Sequence, residues 1–180
     1  MNNVHMKKIS LKQKVLAVIL AALCCVATPL TRIPVPATGG FIHAGDSVVL
    51  ISAVFFGPFF GLVVGGIGSM FADIFAGAAV WAPFTLCIKG LMGFLAGVIT
   101  DYNKGNKKIF SLRNILAVFV CEATMVAGYF TAVMIMLDLK TASAAALLDL
   151  VQAGGGALIY FILAPVVSRV TKNMSTASNI

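Results

Sequence analysis

The chain has 180 residues, 60% of them hydrophobic and only 11% charged, with a formal net charge of +7 and a mean hydropathy of +1.02. A soluble domain is about a quarter charged, and a core of this size buries too little surface to hide so much apolar area from water. The composition therefore excludes a water-soluble globular domain and makes a bilayer the natural solvent. One domain, 1–180, fills the length, with no room for a separate soluble catalytic module.

The chain opens on Lys7, Lys8, Lys12 and Lys14 and then turns apolar. No small-x-small cleavage site follows and five more apolar runs do, so this reads as a retained first helix, residues 15–30, rather than a signal peptide. Ala17 and Ala21, with Cys25 a turn beyond, form a stripe of small residues of the kind that docks another membrane helix. Residues 31–46, TRIPVPATGGFIHAGD, are rich in Pro and Gly and read as a loop. The following apolar stretch is too long for one span, and Gly57-Pro58 divides it into helix two, 46–56, and helix three, 58–79, with Pro58 in a first turn.

Gly61, Gly65, Ser69, Asp73 and Gly77 recur every fourth residue along helix three, placing them on one face. Such faces let backbones approach closely in lipid. Helix four, 83–100, repeats the device with Gly90, Gly93 and Gly97. Helix five covers 114–137, residues 138–145 form a short connection, and helix six, 146–167, contains Gly154, Gly155 and Gly156. The class is an all-α integral membrane protein with six transmembrane helices. Its basic residues form three clusters: the N-terminal lysines; Lys104, Lys107, Lys108 and Arg113; and Arg169 with Lys172. With six spans all three fall on one side, which places the N and C termini in the cytoplasm. The same clustering accounts for the positive charge without nucleic acid. Cys24, Cys25, Cys87 and Cys121 lie inside apolar stretches without a CxxC pair and read as packing residues.

Charged groups inside a bilayer are costly and usually face a cavity or a partner. The candidates are Asp46, Asp73, Lys89, Glu122 and Gln152. At about 1.5 Å per residue, Asp73, Lys89 and Gln152 each lie about 9 Å below the outer helix ends, on one level. Trp81, Thr85 and Lys89 follow at i, i+4 and i+8, so one face of helix four offers a ring, a hydroxyl and an ammonium, suited to a flat heteroaromatic ligand. Structural readings stand beside these. Asp46 is placed to cap helix two, Trp81 to anchor at the interface, Asp73 to pair with Lys89, and His43 to be an ordinary loop residue. Glu122 is placed for a cavity floor, for Lys89 or for a partner interface. There is no G-x-x-x-x-G-K-[ST], H-E-x-x-H or G-x-S-x-G motif, so enzyme chemistry has little to stand on. No cofactor or metal is called for.

Five runs taken together carry a resemblance: P-x-T-x-G-F-I-H-A-G-D at 36–46, A-V-F-F-G-P-F-F-G at 53–61, G-G-I-G-S-M-F-A-D at 65–73, W-A-P-F-T at 81–85 and K-G-L-M-G at 89–93. In order and spacing the chain resembles the S components of energy-coupling factor (ECF) transporters, densely over 31–97 and more loosely beyond. The lid run and K-G-L-M-G are most like the hydroxymethylpyrimidine and pyridoxine (vitamin B6) branch, with riboflavin-type members sharing much of the pattern. The resemblance implies a bacterial plasma-membrane protein of six helices that captures a water-soluble vitamin or precursor at its outer face. Its partners would be a transmembrane coupling subunit and two ATPases, which alone hydrolyse ATP. It also implies a lid carrying His43 and Asp46 over a site of Trp81, Thr85, Lys89 and Gln152, and coupling-subunit contact through Ala17 and Ala21. The rival from another class is a solitary ion-coupled carrier using Asp73, Lys89 and Glu122. On this reading Lys89→Ala weakens ligand binding more than folding.

Overall fold

A computed structural model describes residues 11–100 and 109–177. Lys7, Lys8, Lys104, Lys107 and Lys108 lie outside the described residues, as do the side chains of Lys12 and Lys172. Six helices occur among the described residues: α1 (Leu11–Leu30), α2 (Asp46–Phe56), α3 (Pro58–Phe75), α4 (Ala82–Ile99), α5 (Leu112–Met136) and α6 (Leu139–Ala177). The last four are long and apolar enough to cross a membrane; Lys14–Leu30 and Asp46–Phe56 are shorter apolar helices. Between α1 and α2, where a loop is expected, the chain forms an antiparallel hairpin of β1 (Ile33–Val35) and β2 (Gly40–Ile42), with Val35 opposite Gly40.

The bounds of α2 are those read from the sequence. Gly57 adopts φ +103°, a region that favours glycine, and Pro58 starts the next helix with its missing N–H at no cost. Three expectations need correction. Helix three ends at Phe75, not 79, because Gly77 turns left-handed at φ +81° and Ala78 N donates to Asp73 O at 2.8 Å. Helix six runs Leu139–Ala177 rather than 146–167, so 138–145 is not a connection and Pro165 lies inside the helix rather than near its end. Asp138 caps it, accepting from Thr141 N and Thr141 Oγ1, each at 2.8 Å, and the Thr141 backbone bond holds this carboxyl below its ordinary range. Finally, the small-residue row of helix three does not stay on one face. A π-helical turn at Val64–Gly68 shifts the register, so Gly61 and Gly65 meet α4 while Ser69 turns to Cys24 of α1, Oγ to Sγ 3.6 Å.

α2 is the axle of the bundle, packed against α3, α4 and α6. Its Leu50, Ala53 and Phe55 share one core with Met92 and Ala96 of α4, Cys121 and Met125 of α5, and Tyr160 and Ala164 of α6. α3 and α4 cross so closely that a Cβ on Gly61 would overlap the Gly93 carbonyl, and one on Gly93 the carbonyl of Gly61. Away from the hairpin, α5 and α6 are joined by Asn114 and Tyr160, whose hydroxyl donates to Asn114 Oδ1 at 3.0 Å.

Candidate functional site

The ion pair at the centre is not the one read from the spacing. Lys89 Nζ donates to Asp46 Oδ1, not to Asp73, and both side chains are 0% exposed. The π turn and the early end of α3 leave Asp73 clear of the ammonium, while α2 drops from the hairpin directly beside it. Nor is Asp46 a helix cap: Gly45 holds that position without a side-chain bond. Gln152 Nε2 donates to Asp46 Oδ2 at 2.8 Å and Gln152 Oε1 accepts from His43 N at 2.9 Å. One chain of bonds thus runs from α4 through α2 and α6 to the hairpin. Thr85 Oγ1 and Tyr129 OH are 2.7 Å apart, and Lys89 Nζ lies 5.6 Å from the Tyr129 ring centroid, within cation–π reach.

Above this layer the hairpin roofs a cavity of about 50 Å³, room for a few waters. Val35, Gly40, Phe41 and His43 roof it; Asp73, Trp81, Tyr129, Asp149 and Gln152 wall it. Trp81 is buried rather than an interfacial anchor, its ring 6.2 Å from those of Phe84 and Tyr129. The hairpin turn rests on it: a Cβ on Gly40 would come 3.4 Å from Trp81 Nε1. Further bonds hold the roof, Arg32 Nη1 donating to Ala76 O at 2.7 Å and Ala44 N to Thr31 Oγ1 at 3.0 Å. His43 Nδ1 accepts from Gly45 N at 2.9 Å, which leaves the ring proton on Nε2. Burial pushes the His43 pKa down to about 4, so the ring is neutral at neutral pH.

Of the residues singled out in the sequence, His43, Asp73, Trp81 and Gln152 line the cavity, while Asp46, Thr85 and Lys89 form the buried layer outside its lining. Tyr129 and Asp149 were missed. Tyr129 was legible, standing seven residues from Glu122 on the same helical face; Asp149 lay only three residues before Gln152. Glu122 takes none of the cavity roles. Buried, with neither carboxylate oxygen hydrogen-bonded, it sits in an apolar groove between α5 and α6. The α1 stripe faces inward: Ala17 is buried, and a Cβ on Gly68 would meet Ala21 O at 2.8 Å. Val15, Val18, Ile19, Leu23 and Val26 make up the outer face of α1 instead.

A family model described as ECF-type riboflavin transporter, S component, matches residues 8–169. A Pyrococcus woesei protein named "Uncharacterized protein in gap 3'region" is 37% identical over 134 residues, covering 74% of this chain and 86% of that one. The thiamine precursor transporter HmpT of Lactococcus lactis subsp. cremoris is 31% identical over 170 residues, covering 94% of this chain and 92% of its own.

Proposed function

Since the chain belongs to the family of ECF-type riboflavin transporter S components, we propose that it captures a small aromatic nitrogen-ring vitamin or precursor, pyridoxine or hydroxymethylpyrimidine, beneath its hairpin. The protein is membrane-integral and multi-pass, a non-enzymatic transport subunit. The observation that carries the reading is the roofed cavity with an indole wall, set in a chain otherwise made for lipid. His43, Trp81 and Gln152 contact the ligand. Asp46, Thr85 and Lys89 support them from the layer outside the cavity, with charges already matched, so they keep the wall in place. At about 50 Å³ the cavity is smaller than such a ligand, so the hairpin lifts for entry and settles on the ring afterwards.

Residues 1–180 act as one six-span unit with both termini in the cytoplasm, and uptake draws on a transmembrane coupling subunit and two ATPases. The apolar outer face of α1 meets the coupling subunit, while Ala17 and Ala21 let α1 lie close on the π turn of α3. The riboflavin-type alternative draws on the family description, and differs in demanding a much wider opening for a three-ring ligand. The ion-coupled alternative is weakened by Lys89, which is sealed against Asp46 and not linked to Glu122 by any hydrogen bond.

Titration of the detergent-solubilised full chain with pyridoxine, hydroxymethylpyrimidine and riboflavin, following Trp81 fluorescence and heat, tests this. Saturable quenching by either of the first two is expected. Binding of riboflavin alone would transfer the reading to the riboflavin type, and silence towards all three would end it.

A further inference from the structure

Two buried polar atoms on cavity-lining residues have no hydrogen-bond partner: Asp73 Oδ2, an acceptor, and Trp81 Nε1, a donor. Leaving such groups unpaired costs about 1–3 kcal/mol each, and a native fold keeps few of them. Of the polar groups around them, Gln152 uses its oxygen on His43 N and its nitrogen on Asp46, and one hydroxyl of the Thr85–Tyr129 pair donates to the other. An unpaired acceptor and an unpaired donor in one cavity describe the complement of a ligand.

The charge of the lining is also one-sided. Asp73 and Asp149 contribute carboxylates, and no Lys or Arg is among the lining residues, since Lys89 is bound to Asp46 outside it. A phosphate monoester carries about −1.5 to −2 charges at neutral pH. Beside two carboxylates with no cation to meet it, burial of that charge is strongly disfavoured. An amine or a protonated ring nitrogen instead supplies what Asp73 lacks.

We propose that Asp73 and Trp81 are specificity-determining residues: Asp73 accepts an N–H from an exocyclic amine or ring nitrogen, Trp81 Nε1 donates to an acceptor on the same ring system, and the carboxylate pair excludes phosphorylated forms. The inference rests on the proposed function above and narrows its substrate class to unphosphorylated, N–H-bearing heterocycles. A site built around a donor rejects an analogue lacking it far more strongly than an apolar pocket rejects a missing methylene.

Calorimetry on the full chain in detergent tests it with three sets of probes: hydroxymethylpyrimidine, its deamino analogue and its phosphate ester; pyridoxine, pyridoxamine and pyridoxine phosphate; riboflavin and its phosphate. Within whichever set binds, the phosphate ester should be weaker by about 100-fold or more. Asp73→Asn should shrink both the amine preference and the ester exclusion by about tenfold, and Asp149→Asn should relieve the ester exclusion alone. Trp81→Phe, which keeps the ring and removes the N–H, should weaken all bound members of a set together. Unmutated protein that binds ester and free compound equally overturns the inference while leaving vitamin capture intact. So does Asp73→Asn or Asp149→Asn, folded by thermal melt, with unchanged ratios. Failure of every compound to bind overturns vitamin capture and this inference together.

Discussion

Beneath the hairpin the helices are joined by side chains, Lys89 to Asp46 to Gln152, with the roofed cavity above them. At the crossing of α3 and α4 nothing stands between the helices, and Gly61 and Gly93 bring backbone against backbone. The first region can change partners when a ligand arrives, because its bonds end in rotatable groups. The second cannot yield without moving whole helices. A capture protein needs both, a responsive layer and a frame that holds its register.

The sharpest way to break this contrast is Lys89→Ala. It strands Asp46, fully buried, without its counter-charge and should cost about 3–5 kcal/mol of stability, read as the thermal midpoint in detergent. Paired with Asp46→Leu, Lys89→Met should recover most of that loss, since an apolar pair of similar volume often replaces a buried ion pair without penalty. The spacing of Lys89 suggested the reverse ranking, binding before folding; its complete burial makes stability the larger effect. A Lys89→Ala protein that melts like the original but has lost its ligand would move Lys89 into the cavity.

Gly93→Ala probes the frame. The new Cβ collides with the Gly61 carbonyl rather than with a side chain that could step aside, so the expected cost is about 1–3 kcal/mol. Affinity in the surviving folded fraction should be unchanged. An unaltered melt would show that the crossing has slack.

These two sites also mark what was legible. The α2–α3 corner, the close approach of Gly61 and Gly65 to the next helix and the membrane class followed from Gly57-Pro58, from four-residue spacing and from composition, all local signals. The partner of Lys89 was not, because it depends on how α2 hangs from the hairpin and on a π turn that four-residue periodicity cannot show. The start of α6 was written in the sequence as Asp138 with Thr141 three residues on, a capping signal. The hairpin hid in a Pro- and Gly-rich stretch that lacks strand-like alternation.

Acid should loosen the responsive layer and leave the frame alone. His43 is held neutral, at about 4 against an ordinary 6.5, by burial and by Lys89, against the opposing pull of Asp46. From pH 6.5 down to about 4 the open hairpin takes up a proton that the closed one does not, so closure weakens as pH falls, and above 7 it is indifferent. Protonation also removes the Nδ1 acceptor that Gly45 uses. Allowing for partial exposure, about 1–2 kcal/mol of closure should be lost, seen as falling ligand affinity across that window. His43→Asn should make the profile shallower, the remaining slope belonging to Asp73 and Asp149 of the same lining; a profile with its slope unchanged would assign the titration to those carboxylates alone.

The smallest effect is expected where a polar contact serves the frame. Tyr160 and Asn114 join α5 to α6 at the end away from the hairpin, and Asn114 Nδ2 keeps a second bond to Ile109 O. Tyr160→Phe preserves the ring's packing, and its edge-on contact with Phe161 at 5.0 Å, while removing the hydroxyl. The loss should be about 1 kcal/mol, with affinity and its pH profile unmoved. If Tyr160→Phe weakened ligand binding by tenfold while the melt stayed put, the two ends would be coupled along α6 through Gly156, which packs against Asp46 and Glu122. The frame would then be part of the response.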